Sequence, residues 1–120
     1  MVERLTKNAL QKFMSGKVKA PATIAVKFYG NKCHYCHALK GDYETLADEY
    51  EDVLFYAFNI EDYPAAEHIL DFRGVPTICF MQVGGNRPRI RVMPDPSEPD
   101  GQTWYNISEI RSFINKEKMK

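Results

Sequence analysis

No stretch of this 120-residue chain is apolar over the ~20 positions that a bilayer-spanning helix needs, which excludes a helical membrane anchor within it. Net charge is missing as well: 16 Lys and Arg offset 16 Asp and Glu. That balance removes the electrostatic case for a nucleic-acid or membrane-surface partner. Cysteine is scarce and odd in number, three in all, so the chain has no framework of structural disulfides. The opening residues, Met1-Val2-Glu3-Arg4-Leu5, lack the apolar core of a secretory signal. A spare thiol and no leader together predict a reducing, cytoplasmic location. The acceptor triplet Asn106-Ile107-Ser108 would carry sugar only in a secreted protein.

What the chain does contain is concentrated in Cys33-His34-Tyr35-Cys36. Two thiols two residues apart lie between a strand-like run, Ala25 to Tyr29, and a helix-like run. The amino end of a helix exposes unpaired N–H groups and a partial positive charge, and both stabilise a thiolate placed there. The pair is therefore expected at the carboxyl end of a strand, where open α/β sheets place their chemistry.

The rest of the chain alternates between two periodicities. Val2, Leu5, Ala9 and Phe13, with Leu10 and Met14 beside them, follow a helical spacing that Gly16 ends. Thr23 to Tyr29 is rich in β-branched and aromatic residues and predicts a strand. From Cys36, the positions Leu39, Tyr43, Leu46, Ala47 and Tyr50 trace one helix face. Val53 to Ile60 is a nearly continuous apolar run, as in a strand covered on both faces, and Ala65 to Phe72 predicts a short helix. Thr77 to Val83 and Arg89 to Met93 predict a hairpin across Gly84-Gly85-Asn86. Pro94 to Gly101 is an acidic, proline-rich loop, and Asn106 with Glu109 predicts a capping box for a last helix bearing Ile107, Ile110, Phe113 and Ile114. This order implies a single α/β domain over residues 1–120, with a central mixed four-stranded sheet and helices on both faces.

Four segments carry a family likeness. They are Phe28-Tyr29-Gly30-Asn31-Lys32-Cys33-His34-Tyr35-Cys36, the amphipathic helix through Tyr50, Phe58-Asn59-Ile60-Glu61, and Gly74-Val75-Pro76-Thr77. Together they resemble the thioredoxin superfamily, in particular thioredoxins and the catalytic domains of protein disulfide isomerases. The resemblance implies a thioredoxin fold and a cis Val75–Pro76 bond, which costs only ~0.5–1 kcal/mol over trans. It also implies that Pro76 packs beside the cysteines and that the Val75 backbone pairs with an extended substrate as an added strand; Tyr35, read from the residue itself, packs or presents a surface to substrate rather than doing chemistry. The implied activity is protein thiol–disulfide exchange with no cofactor or metal beyond the dithiol. Protein disulfides would be the substrates, a thioredoxin-reductase-like protein or glutathione the electron donor, and the chain a monomer.

In such chemistry Cys33 attacks a substrate disulfide and Cys36 resolves the mixed disulfide. A protonated His34 between the thiols would favour the thiolate. The family's buried carboxylate, six residues before the first cysteine, is replaced by Lys27, and the aromatic residue before that cysteine by Lys32. Lys27 either tunes the pair from a desolvated site or snorkels to water or a carboxylate. Cys79 reads as a small buried hydrophobe, and Trp104 and Tyr105 as packing or loop anchors. Three alternatives stand beside the main reading. They are a glutathione-dependent, glutaredoxin-like reductase, a thioredoxin-fold binding module, and a metal site drawing on His34, His37 and Cys79.

Overall fold

The computed structural model describes all of residues 1–120. Its strands are β1 (Val2–Arg4), β2 (Ala22–Tyr29), β3 (Leu54–Asn59), β4 (Thr77–Val83) and β5 (Arg89–Val92). Its helices are α1 (Lys7–Ser15), α2 (His34–Glu49), α3 (Ala65–Ile69) and α4 (Ile107–Lys118), with a 3₁₀ turn at Ile60–Asp62. The strands form one sheet in the order β1-β3-β2-β4-β5. β1 and β2 run parallel to β3, whereas β4 is antiparallel to both β2 and β5.

The sheet has five strands where the periodicity predicted four. Val2, Glu3 and Arg4 pair with Phe55, Tyr56 and Ala57, and the Leu5 amide donates to Ala57 O at 2.9 Å. The predicted first helix therefore starts later. The Thr6 hydroxyl accepts from the Ala9 amide at 3.1 Å and caps α1. Val2 and Leu5 share the helical spacing only by coincidence, and three residues are too few to display a strand's alternation. Gly16 ends α1 with φ 75, and a Cβ there would fall 2.6 Å from Asn86 O, so both backbone and space require glycine.

Alternation along β2 divides the interior in two. Ile24, Val26 and Phe28 face a core with Leu10, Phe58, Ala66, Phe72, Cys79 and Met81, under α1 and α3. Ala25 faces the other core, with Leu39, Tyr43, Leu46, Phe55, Ile78, Phe80, Tyr105, Ile110 and Ile114, under α2 and α4. Helices therefore cover both faces, as predicted. α4 opens on the predicted capping box: the Asn106 side chain accepts from the Ser108 amide, and Glu109 accepts from the Asn106 amide at 3.2 Å.

Candidate active site

β2 delivers the chain to Gly30 at the carboxyl edge of the sheet, and α2 begins four residues later. The Cys33 amide donates to Gly30 O at 3.2 Å, which closes the turn between them. Cys33 is the N-cap of α2, and its sulfur accepts from the Cys36 amide at 3.1 Å. The first turn carries no acidic side chain, so nothing opposes the positive helix end at that sulfur. Cys33 and Cys36 are joined in a disulfide. Their exposure differs: Cys33 is half-buried at the surface, while Cys36 is only 3% exposed.

The Val75–Pro76 peptide is cis, and Val75 O lies 3.6 Å from Cys33 Sγ. Val75 also closes against Gly30, where a Cβ would meet Val75 Cγ2 at 3.4 Å. Beside Cys33 an open groove of ≈ 700 Å³ is lined by Gly30, Asn31, Lys32, His34, Tyr35, Glu61 and Val75. The loop before Cys33 is tied to the sheet. Buried Asn59 donates to Asn31 Oδ1 at 2.7 Å, and Glu61 accepts from the Asn31 amide at 2.9 Å. Asn59 and Glu61 thus hold the groove's rim, although the sequence marks them only as a strand end.

Lys27 extends from β2 on the α2 face and is 5% exposed. Burial, with a smaller contribution from Lys40 and against the pull of Glu44, lowers its pKa from 10.5 to about 8. No carboxylate stands within ion-pair distance, and Nζ sits 5.2 Å from the centre of the Tyr43 ring. The Tyr43 hydroxyl donates to Tyr56 O at 2.8 Å. Lys40, whose charge is felt at Lys27, lies one helical turn beyond Cys36 on α2.

Cys79 lies in the opposite core, and burial pushes its thiol up to about 12. His34 and His37 are exposed. No three His, Cys, Asp or Glu side chains gather so as to hold a metal ion, so these residues do not join the cysteine pair in a ligand set. One residue that the sequence presents only as an anchor stands near the site. The Trp104 ring lies 5.6 Å from that of Tyr35, which lies 5.6 Å from that of His34. A single tryptophan close behind a proline-rich loop is the one signal the sequence offers, and nothing local places it near residue 35.

The family model described as thioredoxin matches residues 2–95. The chloroplastic thioredoxin-like protein CITRX of Oryza sativa subsp. japonica is 29% identical over 118 residues, covering 98% of this chain and 57% of the relative. The chain thus spans little more than half the length of these plant relatives. A thioredoxin of Acidithiobacillus ferridurans is 32% identical over 73 residues, covering 60% of this chain and 68% of the relative. Among solved structures, spinach chloroplast thioredoxin f superposes with a TM-score of 0.70 at 18% identity, over 98% of this chain and 93% of that one. Chloroplastic thioredoxin z gives 0.65 at 17% identity, over 99% and 96%. These two likenesses show the fold. The CITRX matches overturn the expected cytoplasmic location, because those relatives are chloroplastic. The spare buried thiol signals a reducing environment, and the cytosol is only one such compartment.

Proposed function

From the premise that this chain belongs to the thioredoxin family, we propose that it exchanges disulfides with protein substrates through Cys33 and Cys36. One observation carries the reading: an accessible sulfur and a buried one share a disulfide on the positive end of α2, with the Val75 carbonyl beside the accessible sulfur. In the reducing direction the Cys33 thiolate attacks one sulfur of the substrate disulfide, and the other leaves as a thiolate that takes a proton. The Cys36 thiol loses its proton and attacks Cys33 Sγ, which releases the second substrate thiol. Two electrons pass to the substrate, and the protein's dithiol becomes the disulfide.

Position supports each role. The helix amides hold negative charge on Cys33, and the Val75 backbone beside cis Pro76 offers an edge for an extended substrate. Tyr35 lines the same groove. Lys27 in its neutral form accepts the Cys36 proton, and burial makes that form accessible near neutral pH. His34, exposed between the thiols, favours the thiolate when protonated and moves the couple from thioredoxin's about −270 mV toward the isomerase's about −180 mV. The electron donor is a reductase protein or glutathione, and the chloroplastic names of the relatives support a plastid setting. The chain acts as a monomer, and residues 1–120 form one domain, the latter supported by a radius of gyration of 13.4 Å against about 13.6 Å for a compact chain of this length.

Equilibration in glutathione buffers, with the thiols trapped and counted, tests the reading. We expect one reversible Cys33–Cys36 couple, Cys36→Ser to accumulate a mixed disulfide with a protein substrate, and Cys33→Ser to form none. A pair that never re-forms the intramolecular disulfide, or a Cys33→Ser protein that still forms the mixed species, refutes it.

A further inference from the structure

Trp104 is held in a conformation that its own chemistry disfavours. Its φ is 67, in the left-handed region that a bulky side chain rarely enters, and such residues cluster where surrounding structure imposes them for a purpose. The surroundings here are specific. Asp100 and Trp104 exchange two backbone hydrogen bonds of 3.0 Å. The Asp100 carboxylate accepts from the Gln102 and Thr103 amides at 2.8 and 3.1 Å, and the Thr103 hydroxyl donates to Tyr105 O at 2.7 Å. Tyr105 is fully buried between the sheet and α4, so it anchors the turn to the core. The turn therefore presents the Trp104 ring in one place before any partner arrives.

That place adjoins the redox site. Trp104 is half-buried, and its ring meets that of Tyr35, which lines the groove beside Cys33 and in turn meets exposed His34. His34 and Tyr35 line the groove, and Trp104 adjoins that lining only through Tyr35. Two steps of 5.6 Å between ring centres match about three residues of extended chain at ~3.3 Å each. A mixed disulfide would fix the substrate's cysteine on Cys33, so the residues next to that cysteine must lie within this reach. On the same rim Lys32 stands where the family has an aromatic residue before the first cysteine. The aromatic surface here comes from a distant loop instead.

We propose that Trp104, which abuts Tyr35 just outside the groove's lining, extends the redox groove with a specificity-determining aromatic surface. It selects protein disulfides whose cysteine is flanked by a bulky apolar or aromatic side chain. The inference rests on the oxidoreductase reading above. Rigid aromatic rings supply large contact area at little entropic cost, and they dominate the anchors of protein interfaces.

The test uses two cyclic peptides closed by one disulfide, identical except that Phe or Gly stands next to the cysteines. Pre-reduced protein is mixed with each, and rates from acid-quenched single turnovers are normalised to those of free dithiothreitol. The native protein should prefer the Phe peptide by about tenfold, or ~1.4 kcal/mol. Trp104→Gly, which suits the left-handed backbone and removes only the ring, should bring the two rates within about twofold, while Trp104→Phe keeps most of the preference. If the Gly variant does not fold, Trp104→Asn serves in its place, since Asn also tolerates that backbone. A merely structural role slows both peptides equally and leaves the ratio intact, and that result overturns the inference. So does a native protein that reduces both peptides without preference. A native protein that reduces neither overturns the oxidoreductase reading, and this inference with it.

Discussion

Replacing Lys27 with Met should make the protein more stable at neutral pH, although it removes a charged residue. The side chain is 5% exposed with no carboxylate partner, and its pKa falls from 10.5 to about 8. At 1.36 kcal/mol per pH unit, that fall disfavours the charged form by roughly 3 kcal/mol. At pH 7 Lys27 is protonated in both folded and unfolded states, so the folded protein bears the whole penalty. Between about 8 and 10.5 the folded state has released the proton while the unfolded chain still holds it. Stability must therefore rise with pH across that window, and above it the penalty is gone. Met keeps the apolar stem and fills similar space. Urea unfolding of the oxidised protein should place Lys27→Met up to about 3 kcal/mol above the native protein at pH 7, with the gap closing by pH 10.5. A gap that is absent at pH 7, or that does not change with pH, refutes the reasoning. If Lys27 also handles the Cys36 proton, the variant should release its substrate more slowly between pH 7 and 9, so that a stabilised protein is a poorer catalyst.

Two other perturbations probe the frame around the site. Cys79, buried with its thiol raised to about 12, should stay unmodified when the reduced native protein is treated with iodoacetamide at pH 8, while Cys33 reacts; mass mapping reads the outcome, and early labelling of Cys79 would contradict its placement. Glu117 on α4 is 3% exposed and pairs with Arg89 of β5, with Arg91 at 3.6 Å and Lys120 at 3.5 Å. Glu117→Ala would leave the partly exposed Arg89 without its carboxylate and should cost about 1.5 kcal/mol in urea unfolding, and a loss below 0.5 kcal/mol would show that the cluster is solvated.

Features built from neighbouring residues are legible in the amino-acid pattern itself. The helix start at the cysteine pair, the Asn106–Glu109 capping box and the Thr77–Val92 hairpin each depend on contacts within a few positions, and each appears where the pattern places it. The β2 strand is equally plain, because its alternating faces meet two cores. What the pattern hides is short or non-local. β1 has only three residues and exists because β3 offers an unpaired edge. Asn59 and Glu61 look like the tail of a strand, and only the turn before α2 makes them supports of the groove.

The sequence alone determined that two thiols would share one helix turn at the end of a strand; that Lys27 stands where a carboxylate usually does follows from the family likeness. Spacing decides which side chains can meet within a turn, and no folding is needed to read it. Only the tertiary structure decided which sulfur faces solvent, how dry Lys27 is, and that Trp104 stands beside Tyr35. Those properties arise from surfaces brought together by chain closure. Burial, local dielectric and ring contact belong to the packed assembly, because no residue carries them by itself.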